Sequence, residues 1–375
     1  MKRFPISRCA ASVGIAGIVF AGCGGPVSPI VAPVAPDSPT THAARKACPQ
    51  VQRGEPECLA LILDAKGRAG ISGWGPSNIQ ARYKLPSKTN GSGQVVALVD
   101  AGDNPDVAGD IANYRSQFGL PGAKFHKYNQ EGQQKNYPSY TGWSVEIDLD
   151  AEMVSATCPL CTIYLIEANT SESSDLEAAE LEAVKLGAHV VSNSWLCEGS
   201  LTCVDQRDFD TPGVTYLGAS GDGGSSGTGA PAAFGSVAAI GGTVLSQKGS
   251  KYREVAFGAS GGGCVTGIEK PKWQHDTFCA SRLANDAAAV AWNVAEYDSF
   301  DGGWFAIGGT SVSTPLLAGV FGLAGNGAKQ NGGRTFWQKA HHKYLYPISD
   351  DGCAYSNGRY NTCTGWGTPD GIAAF

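Results

Sequence analysis

Residues 94–100 read Gln94-Val95-Val96-Ala97-Leu98-Val99-Asp100, a short run of aliphatic side chains that ends on a carboxylate. A continuous apolar run of this length suits a strand buried on both faces of a sheet. Three further runs share the pattern: Thr162-Ile163-Tyr164-Leu165-Ile166-Glu167, His189-Val190-Val191-Ser192-Asn193-Ser194 and Gly213-Val214-Thr215-Tyr216-Leu217-Gly218. Helix candidates lie between them at 107–118 and 173–186. Strands that alternate with helices predict an α/β fold, a mostly parallel sheet with helices on both faces. Ligands of such sheets sit at the carboxyl ends of the strands, where Asp100, Ser194 and Ala219-Ser220-Gly221-Asp222 fall.

The chain of 375 residues can bury a large core, and no internal repeat divides it, so a single large domain is expected. Only 17% of its residues are charged, against roughly 25% in ordinary globular proteins. Its 51 glycines imply many tight turns and close backbone contacts. A net charge of −6, with no lysine/arginine run longer than a pair, argues against nucleic acid as a partner.

At the amino terminus, Met1-Lys2-Arg3 precedes an apolar stretch from Cys9 to Phe20, followed by Ala21-Gly22-Cys23. This is the layout of an export signal over residues 1–22, and the stretch is too short to span a bilayer. Its end resembles a bacterial lipobox, which would put an acyl anchor on Cys23 and hold the protein at a bacterial cell envelope. Phe20 stands where leucine is usual, so plain cleavage and secretion are the alternative. Residues 23–69 read as a flexible tether and a short amino-terminal segment, because the stretch to about residue 45 is rich in Pro, Ala, Val, Ser and Thr without a period. The folded body is expected over 70–375. Beyond Cys9 and Cys23, the twelve cysteines leave five pairs of close neighbours: Cys48 and Cys58, Cys158 and Cys161, Cys197 and Cys203, Cys264 and Cys279, Cys353 and Cys363. Even, local pairing suits disulfides of an oxidising compartment. Cys158-Pro159-Leu160-Cys161 also has the spacing of redox and zinc motifs, but no second ligand pair stands near it.

The sharpest chemical signal is Gly308-Gly309-Thr310-Ser311-Val312-Ser313-Thr314-Pro315, followed by the apolar run Leu316-Leu317-Ala318-Gly319-Val320. A serine placed after glycines and before a helix has an exposed hydroxyl near the positive end of the helix dipole; alone, it could equally cap that helix. A nucleophilic serine needs a base, and none of the six histidines sits in a glycine-flanked motif. A carboxylate is the other choice. Gly142-Trp143-Ser144-Val145-Glu146-Ile147-Asp148-Leu149-Asp150-Ala151-Glu152-Met153 alternates like a strand yet runs on into a plausible helix. Under either period Glu146 and Asp150 share a face, where two carboxyls tend to share a proton. In Tyr216-Leu217-Gly218-Ala219-Ser220-Gly221-Asp222-Gly223-Gly224 an apolar strand runs into a glycine-rich turn with one aspartate. Kept protonated, that aspartate could donate to a developing oxyanion; alone, it could be an ordinary turn residue.

Glu146, Asp150, Asp222 and Ser311, in this order and each in its own motif, resemble the sedolisin (serine-carboxyl peptidase) family, whose fold is that of subtilisin. The resemblance covers about residues 70 to 375, including Ser77-Asn78-Ile79-Gln80-Ala81-Arg82-Tyr83, the turn Asp100-Ala101-Gly102-Asp103-Asn104-Pro105 and Ser192-Asn193-Ser194-Trp195. It implies an endopeptidase acting at acidic pH on proteins or peptides. Ser311 would be the nucleophile, Glu146 its general base, Asp150 the acid that orients Glu146, and Asp222 with a backbone amide the oxyanion stabiliser. Ser194, Trp195, Ala219, Ser220 and Gly221 would bind extended substrate by strand addition. Asp100 is left as structural. No cofactor is expected: in the family's calcium loop Pro347 and Asn361 stand where two carboxylates belong, and a bridge between Cys353 and Cys363 would hold the loop instead. A looser site using Asp350 and Asp351 is the alternative. The family usually carries a long folded pro-domain, whereas only about 45 residues separate Cys23 from the expected body, so activation is expected either to rest on a short segment stapled by Cys48 and Cys58 or to need no processing; a monomer is expected. The competing readings are a catalytically inactive sedolisin-like lipoprotein used as a binding scaffold, and a subtilisin-type Ser-His-Asp peptidase.

Overall fold

The computed structural model describes residues 44–63, 71–224, 227–349 and 352–375. Its amino-terminal stretch supplies strands β1 (Ala44–Lys46), β2 (Pro56–Cys58) and β3 (Leu61–Leu63). The middle of the chain gives β4 (Val95–Ala101), β5 (Lys124–Asn129), β6 (Thr162–Ala168), β7 (Val190–Asn193), β8 (Trp195–Cys197) and β9 (Thr215–Ala219). There follow β10 (Val237–Lys248), β11 (Lys251–Ala256), β12 (Gly263–Glu269), β13 (Ser281–Ala284), β14 (Ala287–Val290), β15 (Trp292–Asp298) and β16 (Gly303–Gly308). The main helices are α1 (Pro76–Tyr83), α2 (Val107–Gln117), α3 (Ser144–Thr157), α4 (Ser173–Lys185) and α5 (Thr310–Ala324).

Eight strands form the central sheet in the order β11-β10-β9-β7-β4-β6-β5, with β14 beside β10. Every ladder in it is parallel except β10 with β11. This is the α/β sheet that the apolar runs predict, and Val96, Ala97, Leu98 and Val99 are fully buried, which is why β4 has no polar face. Its neighbours β6 and β7 lie on opposite sides, so the winding reverses beside β4. Asp100 lies at the carboxyl end of β4 and Ser194 just after β7, on the edge that α/β sheets use for ligands.

Helix α3 explains the alternating pattern of residues 142–153. All fourteen of its residues are buried, so no face needs to be polar for solvent's sake. At 100° per residue Glu146 and Asp150 fall on one side, and Asp148 and Glu152 on nearly the opposite side. What looks like strand alternation is two acid pairs on two faces of one buried helix. Helix α3 packs closely on α5. A Cβ at Gly319 would lie 2.0 Å from Thr157 Oγ1, so only glycine allows the approach. That contact sets Glu146 of α3 against the first turn of α5.

The five neighbouring cysteine pairs are disulfides: Cys48 with Cys58, Cys158 with Cys161, Cys197 with Cys203, Cys264 with Cys279, and Cys353 with Cys363. Two of them fix loops at strand ends. Cys203 ties the loop after β8 back to Cys197, and Cys279 ties the segment before β13 to Cys264 of β12. Cys158 and Cys161 are bonded to each other, which leaves neither thiolate free for zinc. Sequence reading starts the folded body near residue 70, but strand pairing already begins at Ala44. Strand β3 joins β1 and β16, and β2 pairs with β8. The described residues fall in one compact unit, and none of their helices is long and apolar enough to cross a membrane. The export signal, Cys23, the tether to residue 43, the boundary at 69/70, and Asp350 and Asp351 lie outside the described residues.

Candidate active site

Ser311 sits in the first turn of α5, just after Gly309, whose φ of +107° disfavours any residue with a side chain. Its hydroxyl donates to Glu146 Oε2 at 2.9 Å, lies 3.0 Å from the Ser194 carbonyl oxygen, and accepts from the Leu59 amide at 3.2 Å. Glu146 Oε2 also accepts from the Ala60 amide at 3.1 Å. A carboxylate, not an imidazole, therefore faces the serine, and the subtilisin-type triad loses its support.

Asp150 lies one helical turn from Glu146 and accepts from Ser194 Oγ at 2.6 Å. Burial pushes the Glu146 carboxyl up, and the charge of Asp100 pushes it further; the Ser311 hydroxyl and the Leu59 and Ala60 amides pull it back. Asp150 is raised by burial, then by Asp100 and Glu146. Asp100 itself is raised by burial to about 7, and neither of its carboxyl oxygens has a hydrogen-bond partner. Three carboxyls thus titrate together in one buried pocket. Asp100 is the member that sequence reasoning set aside, although its place at the end of β4 was a signal.

Asp222 stands at the other end of the arrangement. Its Oδ1 accepts from the Thr310 amide at 2.9 Å, while its Oδ2 is buried without a partner. Burial raises this carboxyl to about 7 in spite of the Thr310 hydrogen bonds. A side chain at Gly309 would begin 2.8 Å from Asp222 Oδ2 and 1.9 Å from the Leu59 carbonyl oxygen, so these oxygens border the same small space.

The expected substrate-binding residues surround this centre. Trp195 is buried, with its indole donating to Val99 O at 3.2 Å, and its backbone in β8 pairs with Cys58. Ala219 packs with Leu196 and Leu59. Ser220 and Gly221 line a cavity of about 330 Å³ together with Leu59, Leu196 and Asp222. Among the expected substrate-binding residues, strand pairing is seen at Trp195 of β8, whereas the Gly221 amide donates to Thr310 Oγ1 and its carbonyl accepts from Gly261. Sequence reasoning missed Leu59 and Ala60; an apolar run over 59–63 in an otherwise polar segment was the available sign.

Among the described residues, Pro347 and Asn361 offer no carboxylate in the stretch expected to match the family's calcium loop. Asn361 Oδ1 accepts from the Cys363 and Thr364 amides and from Thr364 Oγ1 at 2.9–3.0 Å, which turns its Nδ2 onto the Ile348 carbonyl at 2.6 Å. An N–H stands where a hard cation needs oxygen, Pro347 has no side-chain oxygen, and the disulfide of Cys353 with Cys363 ties the same stretch.

No protein-family model matches the chain. Kumamolisin of Bacillus sp. (strain MN-32) is 26% identical over 290 residues, 67% of this chain and 52% of kumamolisin. The chain thus spans about half the length of that relative. Pseudomonas sedolisin, a serine-carboxyl proteinase solved with two molecules of pseudo-iodotyrostatin, matches with a TM-score of 0.66 and 21% identity over 80% of this chain and 96% of its own. Sphericase matches at 0.55 and 17% over 81% of this chain and 99% of its own. Fervidolysin from Fervidobacterium pennivorans, a keratinolytic enzyme related to subtilisin, matches at 0.51 and 16% over 80% and 45%. At these identities the solved structures speak for the fold. In sequence the chain is similar to kumamolisin, and its fold is subtilisin-like.

Proposed function

We propose that the chain is an exported serine-carboxyl endopeptidase that hydrolyses peptide bonds at acidic pH. The observation that carries this reading is the buried hydrogen bond of 2.9 Å between Ser311 Oγ and Glu146 Oε2. Ser311 attacks the substrate carbonyl while Glu146 takes its proton and then passes it to the leaving amine. Asp150 is a positioning residue that acts through Glu146 and Ser194. Asp222, protonated in acid, donates to the oxygen that becomes an oxyanion. Burial of the whole group supports an enzyme over an inactive scaffold, because such a set of unpaired acids costs stability that binding alone does not need.

Proteolysis by the purified protein should peak in acid and vanish in Ser311→Ala, and Glu146→Gln should lose on the order of 10²–10⁴-fold. An optimum at or above neutral pH that survives Glu146→Gln would sink the mechanism. Export and an acyl anchor on Cys23 belong to the same proposal. Mass spectrometry of the mature amino terminus decides the anchor, and an unmodified Cys23 removes it.

A further inference from the structure

We propose that Asp110, Asp148 and Asp298 form a binding site for one calcium ion between α2, α3 and β15. The three carboxylates come from three different elements, each offers one oxygen, and these oxygens lie within 4.8 Å of one another. That is the span of two ligands on opposite sides of a calcium ion, whose bonds to oxygen are about 2.4 Å long. All three residues are buried. None of them belongs to the stretch that aligns with the family's calcium loop, and the site does not depend on the peptidase reading.

Converging carboxylates alone do not make a site; the way these are held does. Each is fixed through one oxygen by neutral donors. Asp110 Oδ2 accepts from the Ser299 amide at 3.2 Å and from its hydroxyl at 2.9 Å, Asp148 Oδ2 from Asn104 Nδ2 at 2.8 Å, and Asp298 Oδ1 from the Asp301 amide at 2.8 Å. The other oxygen of Asp148 and of Asp298 is buried without a hydrogen-bond partner. Outer donors that orient carboxylates while their remaining oxygens converge are what surrounds a metal centre. Glu296 adds an independent sign. It stands two residues before Asp298, on the same face of β15, and is wholly buried with neither oxygen partnered. After burial, the charges of Asp148 and Asp298 raise its carboxyl, so it is aimed at the same acids. Among the described residues no lysine or arginine is ion-paired with any of these four acids. Buried charge needs a partner, and a metal ion is one. The donors are all oxygen, which selects a hard cation. Calcium suits the set because it accepts irregular, carboxylate-rich geometry, while magnesium demands a near-ideal octahedron. Ser299 and Phe300 beside the site are exposed and give water and the ion a way in. Asp148 lies between Glu146 and Asp150 in sequence and on nearly the opposite face of α3. An ion there would pin this helix to α2 and β15 from behind the proposed catalytic acids.

The test strips the purified full chain carrying Ser311→Ala with chelator and titrates it with calcium chloride at about pH 7, read by calorimetry and by thermal unfolding. The expected result is one ion bound per chain and a Tm that rises by roughly 5 °C at a hundredfold excess of calcium over its dissociation constant. Asp148→Asn and Asp298→Asn should each weaken binding by about tenfold or more and remove most of that rise. Asp148→Asn keeps the shape of the side chain and removes a buried charge, so its calcium-free form should unfold no earlier than the parent. Loss of the calcium response is then not loss of the fold, and Asp110→Asn carries the same test where Asp148→Asn does not fold. Asp350→Asn together with Asp351→Asn removes the looser site considered in the family's loop and should leave binding intact. Binding lost in that double variant and kept in Asp148→Asn overturns the proposal. A chain whose heat and Tm show no dependence on calcium overturns it too, and leaves Asp110 and Asp148 sharing a proton instead of an ion.

Discussion

Asp222 and Glu146 are both buried carboxyls that burial raises, with hydrogen bonds pulling each back, yet the proposed chemistry asks opposite things of them. Glu146 Oε2 accepts from a hydroxyl and from the Ala60 amide, donors that favour its ionised form. Asp222 has one accepting oxygen on Thr310 and one without a partner, so its second oxygen is free to carry a proton. With its carboxyl raised to about 7, Asp222 keeps that proton through the acid range and loses it as pH rises past neutrality. Burial raises Glu146 as well, and ionising it helps a base, so an alkaline fall of activity would belong to Asp222. Asp222→Ala should lower turnover by about 10²–10³ at acid pH. Asp222→Asn, which donates without titrating, should lose less and should move the alkaline limb of the kcat/KM profile upward. A limb left in place by Asp222→Asn would assign it to another group, with Asp100 next in line because burial also raises it to about 7.

At the scale of elements, legibility followed how much of each element's environment is local. Strand β4 was readable because burial on both faces writes a continuous apolar run into the sequence. The disulfides were readable for a related reason, since Cys203 and Cys279 each have their partner within the same short stretch of chain. Ser311 and Asp222 were readable as candidates because glycines mark the turns on which they sit, and family resemblance joined them to Glu146 and Asp150. Helix α3 stayed ambiguous by period, since a helix buried all round has no solvent face to reveal its 3.6-residue repeat. The pairing of β2 and β3 was not readable, although the apolar run over 59–63 marks the segment. Each strand has three residues, too few for any period, and their partners in β8 and β16 lie well over a hundred residues away in sequence. The hydroxyl of Ser194 on Asp150 was hidden for the same reason: it joins side chains 44 positions apart.

Across the whole molecule, the buried acids make stability a function of pH with an unusual sign. Burial is the largest cause that raises Asp100 and Asp222 to about 7, Glu180 to about 8 and Glu167 to about 9. Asp148 and Glu152 of α3 and Glu296 of β15 are raised as well, by burial first and then by neighbouring acids: Asp110 and Asp298 for Asp148, Glu296 and Asp148 for Glu152, Asp148 and Asp298 for Glu296. In the unfolded chain each of these groups titrates near pH 4. Between pH 4 and its folded value, such a group binds a proton when folded and none when unfolded, so unfolding releases protons and becomes easier as pH rises. The contribution is complete below about pH 4 and is lost through the window from about 4 to 7 for Asp100 and Asp222, and on to about 8 and 9 for Glu180 and Glu167. Ordinary proteins, whose carboxylates are paired and depressed, behave the other way and weaken in acid. Each acid changes stability by about 1.4 kcal/mol per pH unit, so two of them suffice for roughly 5 kcal/mol between pH 5 and pH 7. For a domain of this size that is a drop in Tm of about 10 °C. Thermal unfolding of the Ser311→Ala chain, which lacks the proposed nucleophile, measures it without proteolysis. A Tm that is flat or rises from pH 5 to pH 7 would mean that these carboxyls are ionised in the folded protein, with paired cations or water that neutralise the cost of burying them.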